Sequence, residues 1–368
     1  MADGKMSKVD EIKAYEEEMR RIYGYDKETD DLMYFTDVGE MIIDTIEFYK
    51  NYEIFPVAPT MYKDVKIDKL IQMFEDENFC NLSKQEILGL CTEVSNRLSR
   101  QISSIPSVVV EYDGTDHGLM STKLTSNTIE INFNSFNNEY LSKYHPAFTD
   151  KNVGLLYLYT IIHELYHTAQ NYNFYKFLHD MPYEKDTLCS SFQDMLSGTY
   201  WWRLNDDEMR TLYRSDLIEL NSNIFATNTL LKFIEKGYFN NPEKVEKIIK
   251  GDSAFIFDGY DRKSVGLAES KYEKNLKTLS RIKDAGDEFI IDGDPYFEKE
   301  EVDILKNIYS FVSGLDMKRY QQKMQDKIIE FKQDFRAFAI GKTGKELGFG
   351  DDEKLKRVVD KIVLEPER

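Results

Sequence analysis

The amino-acid sequence predicts an α+β protein that is mainly helical, and three observations carry the prediction. Apolar residues recur at intervals of three and four near both ends of the chain, as amphipathic helices require. Strand-like runs are short and confined to one central stretch, Ser107 to Tyr112 and Thr128 to Phe133. Hydrophobic residues make up 41% of the 368 positions and aromatics 13%, too many large apolar groups for a disordered chain. At roughly 150 residues per folding unit, that length predicts about two to three units. Three regions are expected: a helical one over 1–105, a mixed core over 106–240 and a helical one over 241–368.

Taken in order, Met1 to Arg21 reads as charged and helical. The clearest N-terminal helix follows Leu82: Ser83 and Glu86 have capping-box spacing, and Leu82 and Ile87 stand at the staple positions. Ile87, Leu90, Cys91, Val94 and Leu98 then keep helical spacing, and the helix is expected to run through Ile105 until Pro106 closes it. Ser107 to Tyr112 reads as a strand, followed by the glycine-rich loop from Asp113 to Gly118. Thr128 to Phe133 alternates as a half-exposed strand should, and an edge position would let it pair with an extended peptide while Glu130, Asn132 and Asn134 face outward. Near the C-terminus, Met317, Tyr320, Met324, Ile328, Phe331, Phe335 and Phe338 mark one long amphipathic helix, which packs on the protein or offers a face to a partner.

Composition narrows the classes of function. A formal net charge of −18 argues against nucleic acid, whose recognition needs a basic surface to replace counterions. The three cysteines, Cys80, Cys91 and Cys189, form no CxxC pair and read as buried thiols in a reducing compartment. No apolar leader and no membrane-length apolar run is visible, so a cytoplasmic protein without a membrane span is expected.

The chemistry concentrates in the segment from Asn152 to Gln170, which is apolar on all sides until His163 and so reads as a buried helix. Thr149 or Asp150 can cap its start. His163 and His167 are four residues apart and project from one face, so both imidazoles can reach one ion at about 2.0–2.1 Å. Glu164 lies about 100° further round, where it can take a proton from water at the ion. A catalytic zinc ordinarily takes a third protein ligand. His117, His145 and His179 do not follow at a three-histidine spacing, and Gln170 stands where that pattern has glycine. The next helix, read over Ser215 to Phe239 with Gly237 as its C-terminal cap, offers Glu219 on a face shared with Ser222, Asn223 and Ala226. Were Asp216 the N-cap, Glu219 could instead be the third-position carboxylate of a capping box. Asp194, Asp206, Asp207 and Glu208 are further ligand candidates.

The pattern His163-Glu164-x-x-His167 followed by a glutamate helix resembles the gluzincins, zinc metallopeptidases with a two-histidine, one-glutamate site. Glu219 to Ala226 is similar to the E-x-x-x-D-x-x-A helix of prenyl-protein-processing and phage or mobile-element peptidases of that group, with Asn223 where they carry Asp. The resemblance covers about a tenth of the chain. It implies a zincin-like catalytic core over 106–240, Zn2+ held by His163, His167 and Glu219, and Glu164 as general base.

The function expected is therefore hydrolysis of peptide bonds in a protein or peptide substrate, with Tyr200, Tyr213, His145 or His179 as possible oxyanion donors. The alternatives are a non-hydrolytic zinc-binding regulatory protein, or an acidic binding protein with an accidental HExxH. Asp292-Gly-Asp294 lacks the remaining positions of a calcium loop, and Gly341-Lys342-Thr343 lacks the first glycine of a P-loop. Trp201 and Trp202 read as packing residues near the site helices.

Overall fold

The computed structural model describes residues 27–75, 77–102, 104–112, 118–136, 145–197, 216–258, 262–291, 294–340 and 342. In chain order, α1 (Lys27–Lys50), α2 (Ile67–Glu75) and α3 (Lys84–Ser99) precede three short strands, β1 (Val108–Glu111), β2 (Met120–Thr122) and β3 (Thr128–Ile131). Helices α4 (Val153–Leu178), α5 (Lys185–Ser197), α6 (Leu217–Glu235), α7 (Pro242–Asp258) and α8 (Arg262–Leu279) follow. A hairpin of β4 (Phe289–Ile291) and β5 (Asp294–Phe297) leads to α9 (Lys299–Ser313) and α10 (Met317–Ala339). This is the mainly helical α+β class that the periodicities predict. No helix among the described residues is long and apolar enough to cross a membrane.

Contacts divide the chain into two compact units. The first takes Met1–Glu47, Phe192–Tyr213 and Lys263–Leu315. In it, Phe35 of α1 sits 4.6 Å from Phe289 and edge-on at 6.1 Å to Phe297. A Cβ at Gly39 would stand 2.5 Å from the Phe297 ring, which would have to shift to admit it. Asp194 belongs to this unit.

The second unit, Phe48–Ser191, Arg214–Arg262 and Asp316–Arg368, holds the HExxH helix. Its helix α3 begins as expected: Ser83 accepts from the Glu86 N–H and the Glu86 carboxylate returns to the Ser83 N–H at 2.7 Å. The helix stops at Ser99, not Ile105. The Ser99 carbonyl takes the N–H groups of Ile102 and Ser104, and a residue before proline resists the helical conformation.

The sheet runs β1-β3-β2, parallel between β1 and β3 (Val108 opposite Thr128) and antiparallel between β2 and β3 (Thr122 opposite Ile129). Two expectations are corrected. The Thr128 strand is central, not an edge, with Ile129 and Ile131 fully buried; β2 is the outer strand facing the HExxH helix. It also ends at Ile131, because the Asn132 side chain takes the Asn134 N–H and starts a turn, leaving Asn132 buried.

Helix α4 runs through the middle of this unit, as its unbroken apolar sequence requires. Leu155, Leu156, Leu158, Ile161, Ile162 and Leu165 are buried against Leu70, Ile71 and Phe74 of α2, Leu90 and Val94 of α3, and the sheet. Close approach is enforced at Gly154, where a Cβ would meet the Phe74 carbonyl at 2.3 Å. Thr149 caps a 3-10 turn, Asp150–Asn152, that leads into α4. The α10 stripe packs inward: Phe335 and Ala339 join Ala254 of α7, Phe331 meets Phe257 edge-on at 4.8 Å, and Tyr320 accepts from Asn221 of α6.

Candidate metal centre

Helices α4 and α6 lie against each other over much of their lengths and supply the whole cluster. Asp216 caps α6, its carboxylate accepting the Ile218 N–H at 2.9 Å, so Glu219 is the third residue of the helix. Glu219 nevertheless turns away from the cap and faces the two histidines. At the far end Gly237 has φ of +68°, the Tyr238 N–H bonds Phe233 O, the Gly237 N–H bonds Ile234 O, and Tyr238 packs on Phe233. That is a Schellman termination, the role expected of Gly237. The helix itself spans Leu217–Glu235, shorter at both ends than Ser215 to Phe239.

His163 Nε2 and His167 Nε2 are 3.0 Å apart. Glu219 Oε2 is 3.3 Å from the first and Glu219 Oε1 is 3.5 Å from the second. Ligand atoms about 2.0–2.1 Å from one tetrahedral ion stand roughly 3.4 Å from each other, and one ligand atom from each of the three residues can be chosen so that all lie within 4.8 Å of one another. All three side chains are nearly buried, at 12%, 13% and 7% exposure.

Hydrogen bonds behind the histidines fix which nitrogen faces the cluster. His167 Nδ1 is 2.7 Å from Gln170 Oε1, while Gln170 Nε2 donates to Ser190 Oγ and to the Ile218 carbonyl. The amide nitrogen is thus committed elsewhere, and its oxygen must accept from Nδ1–H of His167. His163 Nδ1 meets Asn223 Oδ1 at 3.0 Å, an oxygen that also accepts from Tyr159. Asn223 therefore holds the imidazole without adding charge. With both Nδ1 atoms protonated, both Nε2 lone pairs point at one spot beside a carboxylate. Buried, that arrangement needs a positive charge in its midst.

The ionisation equilibria show the same demand. Burial alone would lower the pKa of His167, but the Glu219 carboxylate outweighs it and lifts the value to about 9. Burial would raise the pKa of Glu219; His167 and His163 overcome it and hold the carboxyl well below the usual carboxylate range. A divalent ion supplies the same positive charge and would displace that proton.

Glu164 completes the cluster's surroundings. Its Oε1 lies 4.0 Å from His163 Nε2, and its Oε2 accepts from Thr122 Oγ1 at 2.9 Å. The structure thus brings together His163, Glu164, His167 and Glu219. Among the described residues, His163, His167 and Glu219 are the group of His, Cys, Asp or Glu side chains placed to hold one ion, and Asp194 is not part of it. His179 follows the last residue of α4, twelve positions and roughly 18 Å of helix beyond His167, which removes it as an oxyanion donor. His145 pairs with buried Asp252 at 3.0 Å. His117, Tyr200, Trp201, Trp202, Asp206, Asp207, Glu208, Tyr213 and the Asp113–Gly118 loop up to residue 117 lie outside the described residues, as do Met1 to Arg21, the Asp292-Gly pair, Gly341 and Thr343. Gln170, Tyr159 and Thr122 were missed. Gln170 and Tyr159 had a signal, each standing one turn from a histidine on the face of the same helix; Thr122 had none, because strand and helix meet only in the fold. Comparisons with protein-family models, curated proteins and solved structures find no match to this chain.

Proposed function

We propose that this protein is a zinc-dependent peptidase whose metal is held by His163, His167 and Glu219 and whose general base is Glu164. The observation that carries the reading is two Nε2 lone pairs and a carboxylate converging within 3.0–3.5 Å, with a second carboxylate alongside. Two imidazole nitrogens and a carboxylate suit zinc, and three protein ligands leave a position open where a structural site has four. Zinc held there supplies Lewis acidity, acidifying water and polarising a carbonyl oxygen.

The chain's own groups do the rest. Glu164 has one oxygen free beside the histidines, where it can accept a proton from water and return it to a leaving amine. Asn223 and Gln170 keep the two imidazoles in the tautomer that offers Nε2. The test is Glu164→Gln, which preserves size and hydrogen bonding. It should retain about one zinc per chain while peptide turnover falls about 10²- to 10⁴-fold. Turnover equal to the parent's would end the peptidase reading. A zinc protein with no hydrolysis of any peptide would favour the regulatory alternative.

A further inference from the structure

The geometry points to Thr122 as a positioning residue for Glu164: its hydroxyl holds one carboxylate oxygen so that the other is presented to the metal group. This inference rests on the hydrolytic reading and extends it to a residue that lies outside the HExxH segment.

Thr122 is the last residue of β2, one of the two outer strands of the described sheet. Its Oγ1 lies 2.8 Å from the Glu164 carbonyl oxygen and 2.9 Å from Glu164 Oε2. One hydroxyl proton is shared between them, and the charged carboxylate is the stronger acceptor. Thr122 therefore grips the main chain and the side chain of the same residue. A contact that served only to dock strand on helix would need the carbonyl alone.

The consequence is angular precision. A glutamate has three rotatable bonds, and its carboxylate is free to swing unless both ends are fixed. Here the helix fixes the Cα and Thr122 fixes Oε2, so Oε1 is left 4.0 Å from His163 Nε2. The strand is itself anchored: Thr122 sits opposite Ile129 of buried β3, and the neighbouring Lys123 N–H bonds the Thr128 carbonyl at 2.9 Å. The sheet thus sets the direction of the Glu164 carboxylate, and helices α4 and α6 set the ligands.

The experiment compares Thr122→Val, which keeps the shape and removes the proton donor, with Thr122→Ser, which restores the donor. Thr122→Val should bind zinc as the parent does and keep its KM, while kcat falls about 10- to 100-fold, the cost of a misplaced group. Thr122→Ser should return kcat to near the parent value. Urea midpoints of the metal-free protein add a readout independent of turnover: Thr122→Val should lower the midpoint less in a Glu164→Ala background than in the parent. An unchanged kcat in Thr122→Val, a serine variant as slow as the valine one, or strictly additive midpoints would each overturn the proposal. If the parent cleaves no peptide while the midpoints are non-additive, the hydrolytic reading has failed and the hydroxyl's hold on the carboxylate stands.

Discussion

Loading the site with zinc should stabilise the fold, and the amount can be worked out. The two Nε2 atoms already stand 3.0 Å apart and each lies 3.3–3.5 Å from an oxygen of Glu219, on two helices of one unit, so an ion needs little rearrangement to bind. An ion that binds only the folded chain adds RT ln(1 + [L]/Kd), about 4.1 kcal/mol at a thousandfold excess over Kd. At about 2–4 °C per kcal/mol for a unit of this size, that is a rise in Tm of roughly 8–16 °C. The gain should also depend on pH. In the ion-free protein His167 is raised from 6.5 to about 9, so its pairing with Glu219 stabilises fully below pH 6.5 and is lost as pH climbs through about 9. Zinc must displace that proton below pH 9 and need not above it. The difference in Tm between zinc-loaded and chelator-treated protein should therefore widen from pH 6.5 to 9. Differential scanning calorimetry on the parent and on Glu219→Ala decides the matter. A Tm indifferent to zinc, or a zinc effect equally large in Glu219→Ala, would refute the reasoning.

Other expectations follow from the same geometry. Asn223→Ala and Gln170→Ala should each weaken zinc binding about 10- to 100-fold, read by competition with a chromophoric chelator, because each removes the acceptor that orients a ligand imidazole. Gly154→Ala should destabilise by about 3 kcal/mol or more in urea unfolding, at the upper end of overpacking costs, since its Cβ meets a backbone oxygen at 2.3 Å. Ser83→Ala should cost about 1 kcal/mol in the same assay through the lost helix cap. Cys80 is exposed, against the expectation of three buried thiols, so a thiol reagent applied to native protein should label it and spare Cys91 and Cys189, which are buried and whose thiol pKa values burial raises, to about 11 for Cys189; mass spectrometry of peptides reads the pattern.

Much of the candidate site was legible in the sequence because its chemistry is local. Four residues make one turn, so His163 and His167 had to share a face of any helix that contained them. The capping box at Ser83 and the glycine termination at Gly237 were legible for the same reason: each is satisfied by atoms within a few residues. Tertiary structure decided whatever depended on residues far apart in the chain. It made Thr128–Ile131 the central strand, because alternation reports one buried face and says nothing of which neighbours pair on either side. It turned Glu219 toward the imidazoles, since the packing of α6 on α4 puts its carboxylate beside them even though Asp216 is the cap. And it supplied Tyr159, Gln170 and Thr122 with their partners, contacts whose energy comes from burial and geometry that no spacing along one helix encodes.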